Sequence, residues 1–337
     1  MKNIDLNNND NCLIIAEACD NHMGCMESAI EMCNQAKLAG ADIIKFQHHL
    51  ADEEMLEDSP MSDNFDEPLY DFLKRNALSL DDHKVLKSHC ESIDITYLCT
   101  PFSYAAALEL MELDVPGFKI GSGEMTDIPS LIKISELGKP MILSTGMSTL
   151  EEIDETYNAL KDKCTSLAFM NCVSEYPPVY EDVNLNVINV MQERYPEAII
   201  GHSDHTPDLF TCFAAVTLGA KLIEKHVILD KKTPGPDQSV SIDFMDLKIL
   251  VDGIRKIELA SGKEKKVHTK EQQIREWAFR SIVSIKDIKA GDIFSEDNLW
   301  TKRPGTGIPS AQLPSIIGKS AKNNIKANVL LKEEDIA

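Results

Sequence analysis

The segment GHSDHT, residues 201–206, contains two histidines spaced like the ligands of a metal chelate. Successive side chains of a β-strand point to opposite faces of the sheet. If this segment is a strand, His202 and His205 therefore face opposite sides and cannot bind one ion. The spacing leaves His205 as the candidate ligand and predicts that His202 packs on the other face.

The segment LIEKHVI, residues 222–228, supplies a second candidate ligand. Glu224 and His226 have the same strand parity and face one side, whereas Lys225 faces the other. Neighbouring strands lie about 4.8 Å apart, so His205 and His226 would share one divalent cation if their strands were adjacent. Two imidazoles, a carboxylate and open positions for water suit a catalytic metal, while hydrogen-bonded core histidines are the alternative interpretation.

Two lysines in apolar surroundings indicate an anion-binding pocket. Lys45 lies in IIKFQ and Lys119 lies in GFKIGSGE, where glycines allow backbone N–H groups to approach a ligand closely. Ammonium groups combined with small hydroxyls suit a phosphate or a carboxylate. The small hydroxyls in comparable positions belong to Thr100, Ser122, Ser144 and Ser174. For either lysine alone, a snorkelling or salt-bridged side chain is the alternative.

The elements that carry these residues are eight short runs rich in Val and Ile, which alternate with longer amphipathic segments. The runs are CLIIAEA (12–18), ADIIKFQ (41–47), ITYLCTP (95–101), GFKIGSGE (117–124), PMILSTG (140–146), LAFMNCVS (167–174), AIIGHSDH (198–205) and LIEKHVI (222–228). This alternation is typical of parallel strands joined by helices, and eight strands in about 250 residues predict an α/β fold of the (β/α)8 TIM barrel type. A doubly wound open sheet is the alternative, although no GxGxxG turn follows the first run.

Polar residues end each run, after an apolar start. They are Glu17, Lys45 with Gln47, Thr100, Lys119 with Ser122 and Glu124, Ser144 with Thr145, Ser174, His205, and Glu224 with His226. The carboxyl ends of parallel barrel strands converge on one face, where the active sites of such enzymes lie. The pattern therefore predicts an active site at the carboxyl-terminal face of the barrel.

Net charge and hydropathy argue against several classes of protein. The formal charge of −21 disfavours a nucleic-acid partner, which requires clustered Lys and Arg. No apolar run reaches the roughly 18 residues of a membrane span, and the start MKNIDLNNNDN lacks the apolar segment of a signal peptide. Nine cysteines without a CxxC pair indicate reduced thiols. We therefore expect a cytoplasmic protein that binds neither nucleic acid nor membranes.

Charge is distributed unevenly along the chain and indicates a domain boundary. Residues 1–262 carry 20 Lys or Arg and 45 Asp or Glu, whereas residues 263–337 carry 14 and 10. A charged segment beyond the first part is typical of a solvated linker. We predict a flexible N-terminal tail over 1–11, the barrel over 12–262, a linker over 263–279 that is partly helical at its end, and a second domain over 280–337.

Nine segments together resemble the successive motifs of the sialic acid synthase family. They are AEACDNHMG (16–24), IKFQ (44–47), CTPF (99–102), KIGSGE (119–124), LSTGMS (143–148), CVSEYP (172–177), GHSDHT (201–206), EKHVILD (224–230) and PGPDQSVS (234–241). Members of this family condense phosphoenolpyruvate with an N-acetylmannosamine-type sugar and water to form nonulosonic acids, and they release phosphate. Residues 280–309 resemble the family's antifreeze-like (SAF) domain, a small β-rich fold that reaches over the barrel of a partner subunit.

The resemblance implies roles for individual residues. Substrate-binding residues, mainly for phosphoenolpyruvate, would be Lys45, Gln47, Thr100, Lys119, Ser122, Glu124, Ser144 and Ser174. The catalytic group would comprise Glu17, Glu224, His205 and His226. Its two histidines would bind a divalent cation, typically Mn²⁺, with Mg²⁺ or Co²⁺ as alternatives. Tyr176 and Asp237 match positions near the sugar, and Arg303 matches an arginine that a domain-swapped homodimer contributes to the partner's site.

The chain departs from the family pattern in its first motif. Ala18, Cys19 and Asp20 replace the Ile-Gly-x segment of the usual AEIGxNHxG, and Ser174 stands where some members have Asn. The motifs fit N-acetylmannosamine, its 6-phosphate and the 2,4-diacetamido-6-deoxy hexoses that lead to legionaminic or pseudaminic acid. The acidic loop 48–68 disfavours the phosphorylated sugar by charge repulsion. A Schiff-base pyruvate aldolase and a non-catalytic sugar-phosphate binding protein are the alternative functions.

Overall fold

The computed structural model describes residues 4–6, 11–60 and 67–337 of the chain. By its internal contacts the chain divides into two compact units, Met1–Ser261 and Gly262–Ala337. Within the described ranges, no helix is both long enough and apolar enough to cross a bilayer.

The first unit contains a closed barrel of eight parallel strands, as the sequence predicts. The strands are β1 (Leu13–Glu17), β2 (Ile43–His48), β3 (Thr96–Pro101), β4 (Phe118–Ile120), β5 (Met141–Ser144), β6 (Leu167–Cys172), β7 (Ile199–Asp204) and β8 (Leu222–His226). Each strand pairs with the next in sequence, and β8 pairs with β1 to close the barrel. Every observed strand lies inside its predicted run, except that β2 extends one residue further.

The fourth predicted run is longer than the strand observed. β4 ends at Ile120, and residues 121–124 form a turn in which the Glu124 N–H donates to the Gly121 carbonyl at 3.3 Å. Glycine weakens a strand because it has no side chain to pack and loses more entropy on ordering. Ser122 and Glu124 therefore lie in a loop above β4, and Ser174 and His205 likewise follow the ends of their strands.

Helices surround the barrel and share its main apolar core. Those of the first unit are α1 (Met26–Ala39), α2 (Ala51–Glu54), α3 (Leu69–Asn76), α4 (Leu80–Ser92), α5 (Tyr104–Glu112), α6 (Ile128–Ser135), α7 (Leu150–Leu160), α8 (Tyr180–Val183), α9 (Val187–Arg194), α10 (Phe210–Thr217) and α11 (Phe244–Ala260). α1 ends at Gly40, whose φ of 88° lies in the left-handed region that glycine adopts at no steric cost. α7 begins with a capping box, in which the side chains of Thr149 and Glu152 accept each other's backbone N–H.

The interior of the barrel changes from apolar to polar along the strands. Ile15 belongs to a buried cluster inside the barrel that also contains Leu6, Ile43, Leu98, Ile142, Ala168, Met170 and Leu222. Because side chains of one parity share a face, the residue two positions further along each strand also points inward. Those positions hold Glu17, Lys45, Thr100, Ser144, Cys172 and Glu224. Strand alternation alone therefore aims the predicted polar residues at the carboxyl-terminal end of the barrel.

The described part of the predicted flexible tail is packed. Leu6 is buried in the cluster inside the barrel, and the Ile4 N–H donates to the Pro116 carbonyl at 2.9 Å. Full burial of an aliphatic side chain contributes about 1.5–3 kcal/mol, which opposes part of the entropy lost by ordering the segment. Leu6 and the Ile4 backbone therefore pack against the barrel unit, while residues 1–3 and 7–10 lie outside the described part of the chain.

The second unit is small and contains mostly extended chain. Its elements are α12 (Thr269–Ala278), α13 (Leu313–Ile316) and the antiparallel strands β9 (Ser281–Ser284) and β10 (Leu299–Lys302). Isolated antiparallel bridges, such as that between Val283 and Leu330, extend this pairing. The unit has its own apolar core, which includes Ile282, Ile288, Phe294, Leu299, Ile316 and Ile325. α12 occupies the end of the segment predicted as a linker, and none of its residues is buried.

Candidate active site

The register of the barrel brings charged and metal-ligating side chains to one level. Glu17 at the end of β1 is level with Lys45 on β2 and with His226 on β8. Ser203 of β7 is level with Glu224 of β8. The polar strand ends predicted from the sequence therefore meet at the carboxyl-terminal face.

A cavity of about 410 Å³ lies at this face. Every predicted site residue except Arg303 lines it, namely Glu17, Lys45, Gln47, Thr100, Lys119, Ser122, Glu124, Ser144, Ser174, Tyr176, His205, Glu224, His226 and Asp237. The lining also includes residues that the sequence did not single out, among them Cys19, Asp20, His49, Phe102, Met147, Cys172 and Ser203. The volume is in the range of small-molecule sites, which favours a ligand of metabolite size.

Two lysines and two glutamates form a buried charge cluster in the cavity. Lys45 Nζ lies 3.1 Å from Glu17 Oε2 and 2.8 Å from Glu224 Oε2. Lys119 Nζ lies 3.0 Å from Glu224 Oε1. Ser203 Oγ donates a hydrogen bond to the same Glu224 oxygen at 2.9 Å. Glu224 thus bridges both ammonium groups, and all four charged side chains are almost fully buried.

The predicted cationic pocket is electrically balanced as it stands, because each lysine is paired with a carboxylate. An incoming anion must therefore compete with Glu17 and Glu224 for the ammonium groups. Hydroxyls are placed to assist: Lys119 donates to Ser144 Oγ at 2.8 Å, and Thr100 Oγ1 is buried without a hydrogen-bond partner among the described residues. Buried hydroxyls are normally hydrogen-bonded, so the unpaired Thr100 oxygen suits a ligand contact.

Burial and ion pairing separate the two glutamates chemically. Burial raises the pKa of Glu17 to about 7, against the opposing effect of Lys45. Burial also acts to raise the pKa of Glu224, but Lys119 and Lys45 outweigh it and hold that pKa well below its usual range. At neutral pH Glu17 can therefore carry a proton, while Glu224 stays ionised. Two carboxyl groups with separated pKa values are the usual basis of an acid and base pair.

His205 and His226 approach each other at the cavity, with ring centroids 5.1 Å apart. His205 Nδ1 donates to the Val173 carbonyl at 2.7 Å, which leaves a lone pair on Nε2 of the neutral ring. His226 Nδ1 is buried and has no hydrogen-bond partner within the described ranges. Burial lowers the pKa of His226 and so favours the neutral imidazole, which is the form that binds metals. The two rings therefore lie near each other, and their joint binding of one cation stays a prediction.

His202 faces away from the cavity, as its parity predicts. Its ring nitrogens lie 3.0 Å from the Asn171 carbonyl and 3.3 Å from Asp204 Oδ1. Lys225 also points outward and pairs with Asp204 Oδ2 at 2.5 Å, and Thr211 on α10 donates to the same carboxylate. This network lies between the barrel and α10, so it belongs to the core and not to the ligand site.

Cys19, His226 and Asp237 form a cluster of potential metal ligands. One ligand atom of each lies within 4.8 Å of the other two, and all three residues are buried. No other set of three His, Cys, Asp or Glu in the described part of the chain meets that distance criterion. The sequence predicted His226 as a ligand and Asp237 as a sugar contact, but it did not predict Cys19. His205 lies outside this set.

Carboxyl groups also border the cavity around His49, which directly follows β2. Its Nδ1 lies 2.9 Å from Glu54 Oε1, its Nε2 lies 3.0 Å from Gln47 Oε1, and Asp20 Oδ2 is 4.0 Å away. Burial raises the pKa of Asp20 to about 6 and that of Glu124 to about 7. The side chains at this border of the cavity are therefore carboxyl groups and an imidazole.

Arg303 lies in the second unit. Its guanidinium group is 5.1 Å from the ring centroid of Trp277, and its Nε donates to the Ala278 carbonyl at 3.1 Å. Both partners belong to α12. The contact of Arg303 with substrate stays a prediction.

Comparison with known proteins assigns the chain to a family. The NeuB family matches residues 32–266, and the SAF domain matches residues 279–337. The chain belongs to the NeuB family. The family and the C-terminal SAF domain that the sequence motifs predict are therefore both confirmed.

Named relatives of this NeuB family chain span almost its whole length. It is 39% identical over 331 residues to the N,N'-diacetyllegionaminic acid synthase of Campylobacter jejuni, which covers 95% of this chain and 99% of the relative. It is 33% identical to the N-acetylneuraminate-9-phosphate synthase of Homo sapiens, with 96% and 92% covered. A solved N-acetylneuraminic acid synthetase of Leptospira borgpetersenii, in complex with citrate, matches with a TM-score of 0.73 and 29% identity, over 81% of this chain and 95% of that one.

Membership of the NeuB family confirms that the chain is an enzyme of the carbon–carbon bond-forming transferase class. The named relatives form different nonulosonic acids, so the sugar has to be argued from this cavity. Among the residues that the sequence missed, Cys19 did leave a signal, because the resemblance described above implies glycine at its position in the first motif. Asp20 and His49 lie in loops beyond the ends of their strands. Strand parity therefore gives no sequence signal for them.

Proposed function

We propose that the chain is a nonulosonic acid synthase, which condenses phosphoenolpyruvate with an N-acetylated amino sugar and water and releases phosphate. The observation that carries this proposal is the buried cluster formed by Lys45, Lys119, Glu17 and Glu224. Burying ion pairs seldom adds net stability, so such a cluster at a barrel mouth is poorly explained as structural support. Two ammonium groups beside hydroxyls suit a small anion with a phosphate and a carboxylate.

Binding of that anion would bring a proton to Glu17. Phosphoenolpyruvate adds negative charge to a cluster whose charges already balance, and added negative charge raises the pKa of neighbouring carboxyl groups. The pKa of Glu17 is already about 7, because its side chain is buried. Lys119 and Lys45 hold the pKa of Glu224 far lower, so Glu224 keeps its charge. We therefore assign Glu17 as the proton donor and Glu224 as the proton acceptor.

The reaction forms one carbon–carbon bond, forms a carbon–oxygen bond between water and C2, and breaks the carbon–oxygen bond between C2 and phosphate. C3 of phosphoenolpyruvate attacks the aldehyde carbon of the open-chain sugar, and Glu17 gives its proton to the aldehyde oxygen, which becomes a hydroxyl. Water adds to the electron-deficient C2 and gives one proton to Glu224. The bond from C2 to the phosphate oxygen then breaks, phosphate leaves with the electron pair and the remaining hydroxyl proton, and C2 becomes a ketone. Lys45 and Lys119 orient the anion and stabilise the leaving phosphate.

The residues beside the cluster fit a divalent cation. His226 has a buried ring nitrogen without a partner in the described chain, the Nε2 lone pair of His205 is free of the Val173 contact, and Asp237 is a buried carboxylate. The family resemblance implies Mn²⁺ there, with Mg²⁺ or Co²⁺ as alternatives. A cation held by these side chains supplies Lewis acidity toward the sugar carbonyl.

We propose a sugar without phosphate, namely a 2,4-diacetamido-6-deoxy hexose. The ammonium groups that line the cavity, Lys45 and Lys119, are both committed to the phosphoenolpyruvate site. Asp20 and Glu124 line the cavity, and within the described ranges no lysine or arginine forms an ion pair with either, so a sugar phosphate would meet carboxyl groups there. The similarity to the diacetyllegionaminic acid synthase of Campylobacter jejuni supports the same choice.

Phosphate release from phosphoenolpyruvate, measured with each sugar in turn, tests this function. We expect the highest kcat/KM with the 2,4-diacetamido-6-deoxy hexose that leads to legionaminic acid. N-acetylmannosamine should be at least about tenfold poorer, because it lacks the second acetamide and the contacts that this group would make. Its 6-phosphate should be poorer still, and EDTA should stop the reaction.

Several outcomes of that assay would contradict the proposal. Absence of phosphate release with every sugar would remove the synthase function, and a preference for the 6-phosphate would overturn the choice of sugar. Full turnover in EDTA would contradict the cation requirement. Borohydride trapping of Lys45 or Lys119 with pyruvate would favour the Schiff-base aldolase instead.

We further propose that Arg303 serves the cavity of a partner subunit in a domain-swapped homodimer, as the family resemblance implies. Arg303→Ala is then expected to lower kcat/KM by about 100-fold, the usual scale for one charged contact in an active site, and to leave the dimer intact in light scattering. Arg280→Ala serves as the control, because Arg280 is also exposed in the second unit and contacts the Thr301 carbonyl.

Mixed dimers separate a swapped arginine from one that acts in its own chain. Subunits with Arg303→Ala are mixed with subunits that carry Glu224→Gln. If Arg303 crosses to the partner, each mixed dimer has one complete site, and an equal mixture recovers roughly a quarter of wild-type activity. Absence of recovery in confirmed mixed dimers would show that the arginine does not cross.

A further inference from the structure

Cys19 has a backbone conformation that favours glycine. Its φ of 45° lies in the left-handed region, which side chains with a Cβ adopt only at a steric cost. The family motif named above has glycine at this position, whereas this chain has a thiol that is 6% exposed and lines the cavity. Strained residues of this kind concentrate at functional sites. The thiol is therefore held beside the predicted cation ligands by a local fold that glycine would satisfy more easily.

Two neighbouring groups in this cluster lack a partner: His226 lacks a hydrogen bond at one ring nitrogen, and Asp237, which is hydrogen-bonded to Cys19, lacks a cation. His226 Nδ1 is buried and makes no hydrogen bond to the described residues, although the side chain is only 5% exposed. Asp237 is 6% exposed, and no lysine or arginine in the described ranges forms an ion pair with it. Buried carboxylates are normally paired with a cation or coordinate a metal. Both groups, which lie within 4.8 Å of Cys19, therefore call for a positively charged occupant.

We propose that the Cys19 thiolate, one ring nitrogen of His226 and one carboxylate oxygen of Asp237 bind a thiophilic divalent cation such as Zn²⁺ or Co²⁺. This inference rests on the proposed function, since it names an additional ligand for the cation of that site. On binding, the Cys19 S–H bond breaks, the proton passes to solvent, and the sulfur lone pair is donated to the metal. Thiolate ligands favour Zn²⁺ and Co²⁺ over Mn²⁺ and Mg²⁺. The glycine-to-cysteine change in the first motif thus alters which cation the chain prefers.

Cobalt spectroscopy on the metal-free full-length protein tests this ligand set without substrate. Wild type titrated with Co²⁺ should develop sulfur-to-cobalt charge-transfer absorption in the near ultraviolet, saturating at one ion per chain. Cys19→Gly and Cys19→Ser should both lose this band. Cd²⁺ affinity should fall at least about tenfold in both variants, while Mn²⁺ affinity should change less than about threefold. Cys25→Ser is the matched control, because Cys25 is exposed at the start of α1, and it should keep the band.

Cys19→Gly also controls for misfolding. Glycine relieves the left-handed strain at φ 45°, so Tm should stay the same or rise. A band that persists in Cys19→Gly, or that disappears instead in Cys172→Ser, would overturn the proposal, as would a wild type without the band. If wild type releases phosphate but shows no such band, thiolate ligation fails and the synthase function stands. If the band appears and no sugar supports phosphate release, thiolate ligation stands and the synthase function fails.

Discussion

Replacing Glu17 by glutamine is expected to lower kcat by about 10²–10⁴-fold, the usual contribution of one positioned proton-transfer group. The amide keeps the shape of the side chain but cannot give up a proton. Burial raises the pKa of Glu17 from 4.5 to about 7, so the carboxyl group is protonated below that pH and ionised above it. In wild type kcat/KM should therefore fall as pH rises through about 7, and in Glu17→Gln this alkaline limb should vanish.

A Gln47 variant provides a control, because it should shift the alkaline limb of kcat/KM without removing the Glu17 carboxyl group. Its Nε2 donates to Glu17 Oε1 at 2.9 Å, a contact that favours the ionised carboxylate. Gln47→Met should therefore raise the pKa of Glu17 and move the alkaline limb of kcat/KM to higher pH. A Glu17→Gln enzyme that keeps the limb, or that loses less than about tenfold in kcat, would contradict the assignment of Glu17 as the acid.

The sequence predicts the inward residues of the barrel well, because strand alternation alone decides them. Ile15 and Glu17 share a parity, and so do Ile43 and Lys45, so a buried apolar residue followed two positions later by a charged one marks a strand that enters the mouth. The pairing of His205 with His226 followed from parity and strand adjacency. The inward residues of the strands need no knowledge of the loops, whereas His205 lies one residue beyond the end of β7.

The features that the sequence did not predict depend on loop conformation and on distant register. Cys19 reaches the cavity only because its backbone takes a left-handed turn after β1, which no periodicity encodes. His49 likewise follows the end of its strand. The bridging of Lys45 and Lys119 by Glu224 depends on three strands that are not sequence neighbours, so two lysines that the sequence presents as a free anion site are ion-paired.

Lys45→Met is expected to lower kcat/KM for phosphoenolpyruvate by about 10³-fold, because one of the two ammonium groups proposed to hold the anion is lost. The same change breaks buried ion pairs with Glu17 and Glu224. Removing one partner of a buried pair typically costs about 3–5 kcal/mol of unfolding free energy. Steady-state kinetics and chemical denaturation measure the two effects separately.

The stability loss in Lys45→Met should depend on pH in a defined direction. Without the lysine, which lowers the pKa of Glu17, burial should raise that pKa further above its ordinary value of 4.5. The folded protein then binds more protons than the unfolded chain, so its unfolding free energy falls as pH rises above about 5. The variant should therefore lose more stability than wild type between about pH 5 and 8.

Adding Glu17→Gln to Lys45→Met separates the folding role of the lysine from its role in catalysis. The neutral amide needs no counter-ion, so the double variant should regain most of the stability lost at pH 8 and should lose the steep pH dependence. Its kcat/KM should stay low, because neither the ammonium group nor the acid is restored. If Lys45→Met left the KM for phosphoenolpyruvate within about threefold of wild type, the anion would bind elsewhere. If the double variant regained stability and activity together, the cluster would be a structural ion-pair network and the proposed site would be wrong.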